Sequence, residues 1–247
     1  MSGKDERTGG IVVTDRERVI LSITDHTLLR PDMTREELIK LCDEGLLYGT
    51  ASVCIPPSFV AAAAEYLAGR LPVCTVIGFP NGYSTTGTKR FEIADAIRNG
   101  ADELDVVIPI GALREGRTDL VLDELRALRA ASSGKILKVI IETCLLDETE
   151  KIRMCEIVTE VGADFIKTST GFSKSGATVE DVRLLRAHAG PAVKVKAAGG
   201  ISSLEDAEAM IEAGAERLGT SRIVKLVAGA IGAGYQGLIA GKTGGGY

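Results

Sequence analysis

Eight short runs of apolar and β-branched residues recur along this chain, and amphipathic segments separate them. Runs of this length predict buried strands, while the longer segments between them have helical spacing. Strands that alternate with helices form parallel sheets, and eight such units are typical of a closed (β/α)8 barrel. The predicted strands are Leu21–Asp25, Ser52–Ile55, Val73–Gly78, Glu103–Ile108, Ile136–Glu142, Phe165–Thr168, Ala192–Lys196 and Arg217–Gly219.

Capping patterns predict where several of the helices begin. A Thr or Asp followed three residues later by Glu or Asp marks a helix start. This pattern occurs at Thr34/Glu37, Asp147/Glu150 and Thr178/Asp181. The pair Thr14/Glu17 precedes the first strand and predicts an extra N-terminal helix at the barrel floor. We therefore expect an α/β fold, a single (β/α)8 TIM barrel with that extra helix. A doubly wound open sheet is the alternative.

The length and composition of the chain suit one such barrel. Its 247 residues are 45% hydrophobic, which supports a sizeable core. No linker is long enough to divide the chain, so residues 1–247 are expected to form one domain. The first ~10 residues and the glycine-rich tail 241–247 are predicted to be mobile.

Composition also excludes several classes of function. The net charge is −5, and no lysine and arginine cluster is long enough to follow nucleic-acid phosphates. No apolar run approaches bilayer length, and the N-terminus lacks the apolar stretch of a signal peptide. Five cysteines without Cys-x-x-Cys spacing indicate reduced thiols, and two distant histidines do not form a metal site. We expect a cytoplasmic protein that binds no metal, membrane or nucleic acid.

Two lysines carry the strongest indication of chemistry. Alternation along the strands turns Lys167 and Lys196 into the barrel, and Lys167 ends its strand at the mouth, where barrel active sites lie. A buried lysine beside a second ammonium group loses affinity for its proton. The neutral amine that results is the nucleophile of imine chemistry. The alternative is that each lysine is an ordinary surface charge.

The fourth predicted strand places an acid on the same inner face. Asp105 is in phase with Val107, whereas Leu104 and Val106 face the helices. A carboxylate close to both lysines would oppose the loss of a proton from either. We therefore expect Asp105 to lie nearer Lys196 or to act through water.

Small residues after the last strands predict a phosphate site. Gly199 and Gly200 follow the seventh strand, and Ser221 and Arg222 follow the eighth. Loops seven and eight of such barrels commonly bind phosphate through backbone amides, and Gly171, after Lys167, adds a third loop. Arg222 either adds positive charge to this phosphate site or faces solvent. The alternative for all of these residues is that they form ordinary turns that bind no phosphate.

At these residues the chain resembles the 2-deoxyribose-5-phosphate aldolase family of class I aldolases. The resemblance extends in order from the first strand to the eighth. It is carried by Asp25-His-Thr-Leu-Leu29, Val53-Cys-Ile-Pro56, Val76-Ile-Gly-Phe-Pro80, Glu103-Leu-Asp-Val-Val107, Phe165-Ile-Lys-Thr-Ser-Thr-Gly171, Lys196-Ala-Ala-Gly-Gly200 and Gly219-Thr-Ser221. Some members have serine where this chain has Arg222, so the resemblance does not define the phosphate contacts there.

The resemblance implies a role for each candidate. Lys167 would form the imine, Lys196 would lower its pKa, and Asp105 would donate and accept protons. Asp25 is a candidate for a proton relay. So is the terminal Tyr247, because some members end in a tyrosine that reaches the active site. The substrates would be a phosphosugar and aldehydes.

The family also implies that no metal or organic cofactor is needed, because the imine is itself the electron sink, and that the protein is a homo-oligomer, either a dimer or a tetramer. The competing hypotheses are another lysine aldolase or a phosphosugar isomerase on the same fold, and a sugar-phosphate-binding barrel without catalysis.

Overall fold

A computed structural model describes residues 13–229 of the chain. Within them eight parallel strands form a closed barrel, in which each strand pairs with the next and the eighth pairs with the first. This confirms the predicted (β/α)8 barrel and excludes the open sheet. The strands are β1 (Thr24–Thr27), β2 (Ser52–Ile55), β3 (Val73–Ile77), β4 (Glu103–Val107), β5 (Ile136–Ile140), β6 (Phe165–Lys167), β7 (Lys194–Ala198) and β8 (Arg217–Thr220).

Helices connect the strands on the outside of the barrel. They are α1 (Asp15–Ser22), α2 (Arg35–Tyr48), α3 (Val60–Leu67), α4 (Thr86–Arg98), α5 (Ile110–Arg114), α6 (Thr118–Ala131), α7 (Glu148–Val161), α8 (Val179–His188) and α9 (Leu204–Glu212). Short 3-10 turns occupy Pro57–Phe59 and Thr143–Leu145, and residues 223–229 are helical. Of the helices within 13–229, none is long and apolar enough to cross a membrane.

The capping residues behave as the sequence predicts. Thr14, Thr34 and Asp147 each form a complete capping box with a glutamate three residues later. At α8 the Thr178 side chain accepts a hydrogen bond from the Asp181 backbone N–H. The predicted N-terminal helix is α1, which begins directly after its cap at Thr14.

The predicted limits of β1 and β7 were wrong at both ends, and β5 ends at Ile140 instead of Glu142, because an apolar run does not show where a helix or a turn becomes a strand. Leu21 is buried within α1, and β1 begins three residues later. Before β7, Val193 N donates to Gly190 O in a turn, so the strand begins at Lys194 and continues to Ala198. The predicted mobile segments, the first ~10 residues and 241–247, lie outside the described residues.

Strand alternation separates two kinds of side chain. Leu104, Val106 and Ile166 are fully buried in a hydrophobic core that also contains the helix residues Leu128 and Val158. The residues between them point to the barrel axis, as expected for a period of two. The inner residues of β1 and of β4 to β8 form the site described next.

Candidate active site

The barrel interior holds charged side chains that are almost completely removed from water. Lys138, Lys196, Asp25 and Asp105 are fully buried, and Lys167 is 3% exposed. Lysines and carboxylates are rarely buried to this extent unless they are paired. They come from five different strands, so only closure of the barrel brings them together.

Asp105 is the centre of this cluster. Its Oδ2 accepts hydrogen bonds from Lys167 Nζ at 2.7 Å and from Lys196 Nζ at 2.6 Å, and its Oδ1 accepts one from Lys138 Nζ at 2.8 Å. Lys167 and Lys196 are register partners on neighbouring strands. From the sequence we expect Asp105 to lie nearer Lys196 or to act through water. The structure differs, because one carboxylate oxygen of Asp105 contacts both ammonium groups directly.

The surroundings keep Asp105 and Lys196 ionised. Burial alone would raise the pKa of Asp105, but Lys138, Lys167 and Lys196 outweigh it and hold that pKa well below its ordinary value. Burial alone would lower the pKa of Lys196, but Asp105 and Asp25 outweigh it and raise that pKa. At neutral pH Lys196 is therefore a fixed positive charge next to Lys167, and Asp105 is a base rather than an acid.

Asp25 lies directly behind Lys196. Lys196 Nζ donates to Asp25 Oδ2, while Ser52 Oγ and Arg217 Nη1 each donate to Oδ1 at 2.7 Å. Burial would raise the pKa of Asp25, but Lys196, Lys138 and Arg217 lower it. The structure thus places this candidate relay residue against Lys196, below the mouth of the barrel.

Sequence reasoning missed Lys138. Its Nζ contacts Glu103 at 2.6 Å and Asp105 at 2.8 Å, and these acids with Asp25 outweigh the effect of burial and raise its pKa. A lysine in the middle of the apolar run Ile136–Ile140, in register with Asp105, was the available signal. Its partners Asp25, Glu103 and Asp105 lie on other strands, so only the closed barrel shows that it belongs to the cluster.

Two buried sets of side chains within residues 13–229 have donor atoms within 4.8 Å of one another, as a metal ion requires. They are Cys54, Cys74 and Asp105, and Asp25, Cys74 and Glu103. Lys138 Nζ already contacts Cys74 at 3.2 Å, as well as Asp105 and Glu103. An ammonium group therefore neutralises these donors, and we assign no metal to them.

A cavity of about 750 Å³ opens above the cluster, at the carboxyl ends of the strands. Lys167 reaches its wall, while Lys196 and Asp105 are fully buried behind it. The structure brings all five predicted phosphate residues to the same cavity: Gly171, Gly199, Gly200, Ser221 and Arg222. Tyr247 lies outside the described residues.

Glycine is required where the loops after β6 and β7 meet. Gly171 has φ +84° and Gly199 has φ +79°. A Cβ at Gly199 would lie 3.4 Å from Gly171 Cα and 3.0 Å from Gly176 Cα. A Cβ at Gly176 would lie only 2.2 Å from the Gly199 carbonyl carbon. The two loops can thus approach closely and present backbone to the cavity.

The fold and the cluster together define a class of protein, a (β/α)8 barrel enzyme with a buried lysine that lines the cavity at its mouth. A family model described as DeoC/LacD family aldolase matches residues 18–243, and the chain belongs to this family. The predicted resemblance and the predicted enzyme class, an aldolase, are confirmed.

Curated relatives agree with this assignment. The deoxyribose-phosphate aldolase of Clostridioides difficile (strain 630) is 56% identical over 208 residues, 84% of this chain and 95% of the relative. The deoxyribose-phosphate aldolase of Streptococcus pyogenes serotype M4 (strain MGAS10750) is 57% identical over 208 residues, 84% of this chain and 93% of the relative.

A solved structure agrees as well. The deoxyribose phosphate aldolase from Aeropyrum pernix, described as having a unique tetrameric structure, is 34% identical with a TM-score of 0.78. The similarity covers 86% of this chain and 91% of that one.

Proposed function

We propose that this protein reversibly cleaves 2-deoxy-D-ribose 5-phosphate to D-glyceraldehyde 3-phosphate and acetaldehyde, in deoxynucleoside catabolism. The observation that carries the assignment of Lys167 is its position. Of the three lysines that contact Asp105, it is the one that reaches the cavity wall. It is therefore the amine that a substrate carbonyl can meet.

In the cleavage direction, the neutral Lys167 amine adds to the aldehyde carbon of the open-chain sugar, and water leaves to give an imine. The C3 hydroxyl loses its proton, and the C2–C3 bond breaks with its electron pair moving into the imine. This releases glyceraldehyde 3-phosphate and leaves an enamine. A proton then adds to the enamine carbon, and hydrolysis of the imine releases acetaldehyde. The imine is the electron sink, so the chemistry needs no metal or organic cofactor.

The buried cluster supports these steps electrostatically. Asp105 lies 2.7 Å from Lys167 Nζ and is positioned to take protons from that nitrogen, directly or through a water. The fixed charge of Lys196 repels a cation at Lys167 while the Asp105 carboxylate attracts one, and we propose that Asp105 takes the proton from Lys167 as the substrate carbonyl arrives. Asp25 contacts Lys196, and we propose that it takes part in the relay through this contact. Tyr247, beyond the described residues, is proposed as a second relay group.

The phosphate would bind at the other end of the cavity. We assign it to the backbone amides around Gly171, Gly199, Gly200 and Ser221, which line the cavity. The backbone N–H of Arg222 already donates to Thr220 Oγ1 at 3.1 Å. We propose that Arg222 contributes through its exposed guanidinium, which can donate two parallel hydrogen bonds to phosphate oxygens.

We further propose one domain over residues 1–247, a homo-oligomer and a cytoplasmic location. The tetrameric structure described for the Aeropyrum pernix relative supports an oligomer, either a dimer or a tetramer. The five cysteines are free in the structure, which is typical of a reducing compartment.

Imine trapping tests the proposal. Borohydride added with acetaldehyde should inactivate the protein and leave one ethyl group on Lys167, found by peptide mass mapping. A label on another lysine would contradict the assignment. No label on any lysine, with 2-deoxyribose 5-phosphate still bound, would favour a sugar-phosphate-binding protein.

A further inference from the structure

Glu142 follows β5 in a backbone conformation that few residues adopt. Its φ is 56° and its ψ is 65°, the left-handed region that normally requires glycine or asparagine. Its side chain is charged, yet the residue is only 2% exposed. A strained backbone and a buried carboxylate at one residue need a structural reason, and strain of this kind concentrates at functional sites.

The contacts of the carboxylate provide that reason. Thr170 N donates to both carboxylate oxygens of Glu142, at 3.3 Å each, and Thr170 Oγ1 donates to Oε2. Thr170 Oγ1 in turn accepts a hydrogen bond from Phe172 N at 3.0 Å. Hydrogen bonds to a buried carboxylate are stronger than those between neutral groups. Glu142 therefore holds the loop after β6 from Thr170 to Phe172.

Gly171 lies between these two anchored residues and lines the cavity, whereas Glu142 is not part of the cavity wall. No group within residues 13–229 accepts a hydrogen bond from Gly171 N, so this amide is available to a ligand. Its direction depends on the peptide that joins it to Thr170, which Glu142 fixes.

We infer that Glu142 is a positioning residue for the phosphate group of the substrate, acting through Thr170 on the Gly171 amide without touching the substrate. This inference rests on the proposed function, since it requires a phosphate at this end of the cavity. Loss of the Glu142 contacts then weakens the preference for a phosphorylated sugar and spares imine formation at Lys167. A role limited to folding would reduce the activity toward 2-deoxyribose 5-phosphate and toward unphosphorylated 2-deoxyribose equally.

The first variant is Glu142→Gln, whose amide offers one acceptor oxygen where the carboxylate offers two. The remaining oxygen can still accept from both donors of Thr170, as Oε2 does, but without the charge these hydrogen bonds are weaker, which corresponds to a roughly tenfold effect. We expect kcat/KM for 2-deoxyribose 5-phosphate to fall about tenfold, mainly through a higher KM, while kcat/KM for 2-deoxyribose changes less than about twofold. Borohydride labelling of Lys167 by acetaldehyde should proceed at the wild-type rate.

Thr170 provides a matched pair in case Glu142→Gln does not fold. Thr170→Val removes the hydroxyl group and should reproduce the loss of phosphate preference, whereas Thr170→Ser keeps the hydroxyl and should retain the preference. Equal losses for both substrates in Glu142→Gln, or equal losses in Thr170→Val and Thr170→Ser, overturn the inference.

The wild-type protein distinguishes failure of this inference from failure of the proposed function. If the wild type does not prefer the phosphorylated sugar, or if Lys167 is not labelled, the proposed function fails and the inference fails with it. If the wild type shows both properties and Glu142→Gln keeps the full preference, the inference alone is overturned.

Discussion

The inner and outer faces of the barrel strands are both buried but carry opposite chemistry. In β4, Leu104 and Val106 pack in the apolar core beneath the helices, while Asp105 between them contacts three lysines. The same alternation occurs in β6, where Ile166 is in the core and Lys167 is at the cavity. We therefore propose that alternate residues of the same strands serve the stability of the fold and catalysis.

The energetics of the two faces differ accordingly. A large apolar side chain on the outer face stabilises the fold by ~1.5–3 kcal/mol when it is fully buried. An ion pair on the inner face loses most of its attraction to the cost of desolvating two charges. We therefore expect outer substitutions to act mainly on stability, and inner ones to act on activity and also on stability wherever they leave a buried charge unpaired.

The largest expected effect is that of Lys167→Met, which removes the proposed nucleophile. Cleavage of 2-deoxyribose 5-phosphate should fall by more than about 10⁴-fold. Lys167→Arg is the matched control, because it keeps the charge beside Asp105 but cannot form the imine. Initial rates and urea unfolding measure both variants. Substantial cleavage by either variant would contradict the role of Lys167.

Lys196→Leu is expected to have the next largest effect, since it removes the fixed charge beside Lys167. The pKa of Lys196 is raised, so this residue remains a cation in the wild type across the neutral range. Without it Asp105 Oδ2 pairs with Lys167 alone and takes a proton from it less readily, and kcat should fall at least about 100-fold at pH 7. The residual activity should rise with pH more steeply than that of the wild type.

Lys196→Arg retains the cation and is the control for this experiment. Its pH–rate profile should remain close to that of the wild type, even if its rate is lower. A wild-type profile for Lys196→Leu would refute the argument from like charges.

An outer-face substitution provides the contrast. Leu104→Ala removes a fully buried side chain from the core, and the free energy of unfolding should fall by ~2–5 kcal/mol. The kcat of the folded fraction should remain within about twofold of the wild type, because Leu104 faces away from the cluster. If activity is lost while stability is retained, the separation of the two faces is wrong.

The smallest expected effect is a change in the acid dependence of stability. The pKa of Asp25 is lowered in the folded protein, because Lys196, Lys138 and Arg217 outweigh burial. A group with a lowered pKa stabilises the fold fully above its unfolded pKa of ~3.9 and loses this contribution as the pH falls further. Wild-type stability should therefore decrease below about pH 4, and Asp25→Asn should show a shallower decrease.

Urea unfolding at several pH values measures this difference. Asp119→Asn, on an exposed residue of α6, is a control that should retain the wild-type slope. Identical slopes for Asp25→Asn and the wild type would show that the buried cluster does not govern acid stability.

Much of this arrangement follows from local sequence pattern. The period of two along each strand predicted that Lys167, Lys196 and Asp105 face inward, and the alternation of strands with helices predicted closure. The side-by-side pairing of Lys167 with Lys196 followed from the order of the strands. The limits of β1 and β7 were less predictable, because burial continues across the junctions of strands with helices and turns.

The contacts across the barrel depended on tertiary structure. The stagger of the strands in the closed sheet determines which inward-facing residues lie at the same depth along the barrel axis. No local sequence pattern encodes that stagger. For this reason Asp105 contacts both lysines directly, and Lys138 joins the cluster without having been predicted. The backbone of Glu142 is another example, since its conformation accompanies contacts with Thr170, which lies on a different loop. The sequence by itself determined which residues face the axis, and only the closed barrel decided which of them meet.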